Sequence, residues 1–271
     1  MDTRFWGPSG WKLLHLLSVQ EYKGERAVSM ARFLETIPYI LPCKFCRASL
    51  TDYYRQHPYS IGTADTRRLN PELDLPRWMV TIHNCVNGKL RKQGLHPAAN
   101  PSYESVMQTY HKLRDAPWGQ QLMLLWDFLF SVAYHHPTRA AHSSPMPDCP
   151  TDIHTCTDPC EQNKWNVLPS AQRMRWYRRF WLLLPAVLPP EMGMHWKRVQ
   201  KHHPPVWSTA RSMTAWLWRM RCGLESHFHD PYRTVCSRLA EYSSDCGAKK
   251  GGITCRKSMR GRRTRKNEVG K

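Results

Sequence analysis

Cys43-Lys44-Phe45-Cys46 follows Leu41-Pro42 and heads a run, Lys44 to Gln56, in which Phe45, Leu50, Tyr53 and Tyr54 recur at helical spacing. A Cys-x-x-Cys that opens a helix is the sequence form of a reactive dithiol. The helix N-terminus carries partial positive charge, and with Lys44 and Arg47 beside it Cys43 favours the nucleophilic thiolate. Cys46 falls one turn further in and is expected to be the more sheltered of the two. The same spacing also fits half of a zinc site or two unpaired thiols, and spacing alone does not separate these. Electron transfer through a Cys43–Cys46 disulfide is the leading reading.

The elements that must hold this pair read as helices. A first helix is predicted from Ser9 or Gly10 to Glu21, with Leu13, Leu14, Leu16 and Leu17 on its apolar face and Trp11, His15 and Ser18 in line. A second runs from Glu25 to Ile37, after which Pro38 and Pro42 break the chain before the Cys43 helix. A fourth, Leu75 to Gln93, packs through Trp78, Ile82, Val86 and Leu90, yet it places His83, Asn84 and Asn87 within one turn. Asn is a poor helix former, and each of these polar groups needs a partner if buried. A short fifth helix spans Ser102 to Leu113, and Asp115 to Gln120 reads as a joint. Beyond it, helices are predicted at 120–135, 170–184, 190–201, 209–224 and 232–242, with a Pro-, Ser-, Thr- and Cys-rich loop of low order at 135–163.

The chain has 271 residues, 41% apolar, with 12 Trp, 11 Tyr, 7 Phe and 21 Pro. These numbers predict an all-α protein in two parts rather than a sheet protein. No secretion signal is evident at the start. The most apolar stretches are too short for a membrane span, so no membrane partner is expected. Ten cysteines in such a chain call for metal binding or redox work. The formal charge is +19, and residues 246–271 hold ten basic side chains against the one acid Glu268. That end reads as a disordered basic tail able to meet an acidic partner or nucleic acid, or simply to solubilise.

Three segments taken in order, Trp6-Gly7-Pro8-Ser9-Gly10-Trp11-Lys12-Leu13-Leu14-His15, the Cys43–Cys46 helix, and Trp78-x4-His83-Asn84-x-Val86-Asn87-x-Lys89-Leu90-x-Lys92, resemble the Erv/ALR family of FAD-dependent sulfhydryl oxidases. The short start and long helical extension are most similar to the forms of large DNA viruses. The resemblance covers about residues 4 to 113. It implies an FAD-binding bundle of about five helices over 1–114, followed by a helical C-terminal domain over 115–256 and the basic tail 257–271. It also implies catalytic Cys43 and Cys46, with Cys46 the flavin-proximal sulfur. The cofactor-binding set it implies is Trp6, Gly7, Trp11, His15, Cys46, Trp78, His83, Asn84, Val86, Asn87, Lys89 and Lys92, the two lysines meeting the phosphates. Electrons would pass from dithiol-containing protein substrates through the disulfide and FAD to O2, giving H2O2, in a homodimer at a viral assembly site in the host cytoplasm or in the virion.

The family's second disulfide has no counterpart here, because Met79 and Val80 follow Trp78 and no Cys closely follows Lys92. Family members often use a mobile second cysteine pair, and Cys156 with Cys160, in the loop near Cys149, are the shuttle candidates. The alternatives, Cys222, Cys236, Cys246 and Cys255, fit structural disulfides or metal ligands equally in their spacing, and structural pairs are the leading reading. The competing class is a basic zinc- or nucleic-acid-binding protein whose cysteines hold metal. A site of Cys43, Cys46, His83 and Cys85 is its clearest form, though His-x-Cys spacing is awkward on a helix.

Overall fold

A computed structural model describes residues 1–95, 97, 99–140 and 144–243. The basic tail, Cys246 and Cys255 lie outside the described residues. The fold is all-α, as the periodicity predicts. The helices are α1 Thr3–Ser18, α2 Glu25–Ile40, α3 Lys44–Gln56, α4 Leu75–Lys92, α5 Tyr103–Arg114, α6 Trp118–Met123, α7 Trp126–Tyr134, α8 Pro137–Ala140, α9 Pro159–Lys164, α10 Ser170–Val187, α11 Pro190–His202, α12 Ala210–Leu224 and α13 Tyr232–Glu241. A small antiparallel hairpin, β1 Ser60–Ile61 with β2 Arg68–Leu69, joins α3 to α4.

Several boundaries differ from the sequence expectation, each for a physical reason. Helix α1 begins at Thr3 and runs through Gly7-Pro8, because Asp2 caps it, accepting from the Arg4 amide at 2.9 Å, and because Phe5 and Trp6 are thereby buried. Pro8 forfeits only a bond to the carbonyl of Arg4, in an exposed turn where water can replace it. Pro38 and Pro185 are likewise carried inside the last turns of α2 and α10. The helix predicted over 120–135 is broken at Leu124-Leu125, and the cause is far away in sequence. Ser9 Oγ donates to the Leu124 carbonyl at 2.8 Å and accepts from the Phe128 amide at 3.1 Å, closing one helix end and opening the next. The 135–163 segment contains α8, a single 3-10 turn at Thr151–His154, and α9 rather than loop alone.

One hydrophobic core runs through both halves of the chain. Helix α10 lies along α2, with Phe180 stacked on Phe33 and Trp176 on Tyr39 at centroid distances of 5.2 and 4.3 Å. Glu35 is bridged by Arg67 and Arg179, each at 3.5 Å. The last carbonyls of α10 find donors in the first half: Tyr22 Oη reaches Val187 at 3.0 Å and Arg26 reaches Leu188 at 3.2 Å. On the far side, α1 packs against α7 so closely that a Cβ on Gly10 would sit 3.0 Å from the Phe128 ring. Trp126, Trp181, Trp196 and Trp216 are fully buried around α7 and α10–α12.

The turn between α10 and α11 is tighter still. A Cβ on Gly193 would lie 2.3 Å from the backbone oxygen of Pro185, an atom with no rotamer by which to move aside. Gly193→Ala is expected to cost about 1–3 kcal/mol, read as a lower urea midpoint with unchanged slope.

Candidate active site

Cys43 is the N-cap of α3. Its backbone is extended, and its Sγ accepts the Cys46 amide at 3.3 Å, so one free N–H of the helix start is spent on the sulfur. Burial pushes the Cys43 thiol up. The hydrogen bonds from Cys46 and the positive charges at Met1 and Arg47 outweigh burial and bring it down to about 6. Cys46 moves the opposite way, held well above the usual thiol value by its hydrogen bond to Cys43 and by burial. The pair is thus split into a thiolate and a thiol.

Exposure overturns one expectation. Cys43 is 2% exposed and Cys46 is the more open residue of the two. The cap position is covered by the chain around it, with the Met1 amino group donating to the Pro42 carbonyl at 3.1 Å and Leu41 packed in the core.

The reduced protein should show half of the Cys43 thiolate absorbance at 240 nm near pH 6, against about 8.5 for an ordinary thiol. The difference spectrum against Cys43→Ser isolates it, and a midpoint at 8 or above would contradict the geometry. Because the folded value lies below the unfolded one, the reduced form holds this stabilisation in full above about pH 8.5 and loses it as pH falls through 6.

Helix α4 is tied directly to the dithiol. Lys89 Nζ donates to the Phe45 carbonyl, between the two cysteines, at 3.1 Å and to Ser49 Oγ. Its charge acts on Cys46. One face of α4 then meets α1: His83 Nδ1 lies 3.0 Å from His15 Nε2, and the His83 ring is stacked on Trp11 at 3.9 Å. Burial lowers His15 to about 3, with His83 adding to the effect, and burial lowers His83 to about 4, so both rings are neutral at physiological pH. Tyr110 of α5 stacks on His15 at 4.9 Å. Asn87 is buried and donates to Asn100 at 3.2 Å. Val86 and Gly7 are half-buried, and a Cβ on Gly7 would meet nothing within 4 Å. Lys92 is exposed on the last turn of α4.

Trp6, Trp11, His15, His83 and Asn84 therefore lie on the α1 and α4 surfaces, with Lys89 linking α4 to the cysteines. Trp78 departs from them. Its ring packs between Tyr54 and Tyr59, each at 5.2 Å, and its Nε1 donates to the His57 carbonyl at 2.8 Å. Trp6 rests on Phe128 instead of on the other two indoles. Three buried polar atoms on these helices have no protein partner: Trp6 Nε1, His15 Nδ1 and Asn84 Oδ1. A buried polar atom without a partner costs free energy. His15 Nδ1 and Asn84 Oδ1, on the two helices joined by the His15–His83 contact, leave room for a polar ligand there, while Trp6 Nε1 lies on the α7 side of α1.

Of the shuttle candidates, Cys160 Sγ lies 3.0 Å from the Tyr39 hydroxyl, and Cys156 Sγ accepts the Asp158 amide at 3.4 Å. Their segment is fastened along α3. Arg55 pairs with Glu161 and Asp158, Lys164 pairs with Asp52 at 3.1 Å, and Asn163 donates to the Pro38 carbonyl at 3.1 Å. Cys246 and Cys255 lie outside the described residues, so of the four cysteines read as structural pairs only Cys222 and Cys236 are described, and they are not bonded to each other. Both are free thiols, Cys222 facing solvent at the end of α12 and Cys236 engaged with the Tyr232 hydroxyl. Among the described residues no group of three or more His, Cys, Asp or Glu side chains is arranged to hold a metal ion. The zinc reading has no support, and Cys85 faces His57 at 3.8 Å instead. Among the described residues no helix is long and apolar enough to cross a membrane.

Sequence reasoning missed Tyr110, Asn100 and Asn166, the last of which grips Arg47. Tyr110 and Asn100 carry no motif, and Asn166 lies 119 residues from its partner.

The sequence model of the Erv1 / Alr family matches residues 8–108. The chain is 32% identical over 98 residues to the mitochondrial FAD-linked sulfhydryl oxidase ERV1 of Saccharomyces cerevisiae, covering 34% of this chain and 46% of that one. It is 30% identical over 99 residues to the putative FAD-linked sulfhydryl oxidase 347L of Invertebrate iridescent virus 6, covering 34% of this chain and 85% of the viral one. A probable FAD-linked sulfhydryl oxidase of Acanthamoeba polyphaga mimivirus, R368, is 26% identical over 111 residues, which cover 40% of this chain and 74% of that protein. The chain thus spans about half of the yeast relative and 62% of a further relative, from Invertebrate iridescent virus 3. No solved structure matches it.

Proposed function

The chain belongs to the Erv1/Alr family, and from that membership and the geometry of the site we propose that it is an FAD-dependent thiol oxidase that makes disulfide bonds in protein substrates. The observation that carries this reading is the bond from Lys89 to the Phe45 carbonyl, which joins the dithiol to the helix bearing His83, Asn84 and Asn87. The unpartnered His15 Nδ1 and Asn84 Oδ1 fit a planar cofactor with polar edges. Trp11, His83 and Asn87 border the same place, and Lys89 and Lys92 supply positive charge for phosphates.

The chemistry at sulfur is thiol–disulfide exchange. A substrate thiolate attacks Cys43 of the disulfide, and Cys46 leaves and takes up a proton. The second substrate thiolate then attacks the substrate's own sulfur in the mixed disulfide and releases Cys43 as a thiolate. The substrate dithiol becomes a disulfide, the enzyme pair holds two electrons, and one proton goes to solvent. FAD, when bound, supplies the two-electron acceptor that regenerates the pair and delivers the electrons to O2 as H2O2. Placing Cys46 on the cofactor side is supported by the action of Lys89 on it, and entry at Cys43 then requires its covering residues to part.

The proposal extends to dithiol-containing proteins as substrates, to Cys156 and Cys160 as their relay, to a homodimer, and to contact of the basic tail with an acidic partner or nucleic acid. It also retains the division at residue 114 between an oxidase part and a helical C-terminal part. The viral relatives support a host-cytoplasmic assembly site or the virion as its setting. Protein purified without added cofactor is expected to be yellow, with flavin absorption near roughly 450 nm, and to consume oxygen when given dithiothreitol. A colourless, oxygen-inert protein would overturn the reading.

A further inference from the structure

Among the described residues, Arg47 is a buried cation without a carboxylate partner. Its residue is 1% exposed, and among the described residues no ion pair includes it. Its guanidinium donates instead to the Leu41 carbonyl at 2.9 Å and to Asn166 Oδ1. Asn166, in a left-handed conformation at φ 63°, passes its own Nδ2 to the Ser144 carbonyl at 2.9 Å, and Lys44 Nζ reaches the same carbonyl at 3.2 Å. Arg47 sits one helical turn below Cys43, its amide bonded to the Cys43 carbonyl at 3.0 Å. The other ionisable groups acting on this place are mostly cations or imidazole: the Met1 amino group, Lys44, Arg173 of α10 and His135, with Lys89 and Tyr53 on the Cys46 side. The carboxylate that acts on the Met1 amine, Asp2, is itself paired with Arg4. Burial pulls Arg47 down to about 10 while Cys43 and Cys46 oppose it, so it keeps its charge. Burying such a charge is costly unless something negative answers it.

We propose that the anion answering Arg47 is the Cys43 thiolate of the reduced enzyme, and that Asn166, reaching in from the C-terminal half, positions the guanidinium and so sets the reduction potential of the Cys43–Cys46 pair. Arg47 has a counter-charge only after the disulfide has taken two electrons and become a Cys43 thiolate and a Cys46 thiol. That favours the reduced state and makes the disulfide a stronger acceptor of electrons from substrate dithiols.

The inference rests on the proposed redox role of the pair, and one experiment separates the two. The full chain is equilibrated with mixtures of reduced and oxidised glutathione at pH 8 and pH 5, and the Cys43–Cys46 state is read by site-resolved alkylation and mass spectrometry. The 240 nm thiolate titration is recorded in parallel, with all variants on the same N-terminus because the Met1 amine is also nearby. Arg47→Met is expected to raise the Cys43 midpoint by about one pH unit and to make the disulfide about tenfold harder to reduce at pH 8, roughly 30 mV. At pH 5 the thiolate is protonated in every form and the variants converge, which a merely structural role would not produce. Arg47→Lys should stay near the parent. Asn166→Asp, near in size and able to give Arg47 a carboxylate, should shift both readouts in the direction of Arg47→Met, and keeps the test open if the latter fails to fold. Folded Arg47→Met and Asn166→Asp proteins with parental midpoints and equilibria would overturn the inference, and a shift in Arg47→Met alone would overturn the part assigned to Asn166. A pair that never exchanges with glutathione would instead overturn the oxidase reading.

Discussion

Cys46→Ser is expected to abolish oxygen consumption with dithiothreitol, by roughly a thousandfold or more, since no residual path remains once one sulfur of a two-electron pair is gone. Cys43→Ser should do the same, and it carries the sharper control. Serine is among the best N-cap residues, so its hydroxyl can take over the Cys46 amide that Cys43 Sγ accepts at 3.3 Å. Helix α3 is therefore expected to survive, and thermal unfolding of Cys43→Ser should stay close to that of the parent while turnover vanishes. Retained turnover in either variant, measured with an oxygen electrode, would remove this pair from the reaction. Cys46→Ser leaves Cys43 as the lone sulfur, with no resolving partner, so its thiolate should attack an added disulfide such as oxidised glutathione, expel one thiolate and remain as a stable mixed disulfide. Cys43→Ser, left with the high-pKa Cys46, should do so far more slowly.

Phe180→Ala is expected to cost about 3–5 kcal/mol, the range for a fully buried phenylalanine. The ring is 0% exposed, stacks on Phe33, meets Phe128 edge-on at 6.4 Å and packs against Trp181 at 5.1 Å. It thus touches α2, α7 and α10 at once, and its loss leaves a hole where the two halves of the chain meet. Calorimetry should show the midpoint lowered by roughly 10 °C or more, in one transition, since the core is continuous. A loss under about 1 kcal/mol, or a second transition appearing in the parent, would show that the halves are stabilised separately.

Much of the fold was legible because long amphipathic patterns are local. Helix α3 is found where Phe45, Leu50 and Tyr53 place it, and α2, α4, α5 and α10–α13 begin within a residue or two of their predicted starts. The misjudged features depend on distant partners. Nothing near Leu124 announces a break, since Ser9 makes it; nothing in Gly7-Pro8 announces a helix, since Asp2 and the burial of Phe5 and Trp6 outweigh a proline in an exposed turn. At the candidate site, spacing proposes the dithiol and the family resemblance proposes His15, His83 and Lys89, and the fold brings His15 to His83 and Lys89 to the turn between the cysteines. The cover over Cys43 and the grip of Asn166 on Arg47 were not legible, because each joins segments that only the tertiary fold brings together. Trp78 shows the converse: a motif position whose indole is engaged with Tyr54, Tyr59 and the His57 carbonyl.

The stacking of Phe180 on Phe33 also has a consequence in time. A ribosome adds roughly 5–20 residues per second, so α2 leaves it on the order of ten seconds before the helix that covers it has been made. Throughout that interval Phe33, Leu34 and Ile37, all fully enclosed in the finished protein, have only the first part of the chain to shelter them. The newborn chain is stickiest while its dithiol helix is already complete, and chaperone capture should peak on nascent chains that end before residue 180.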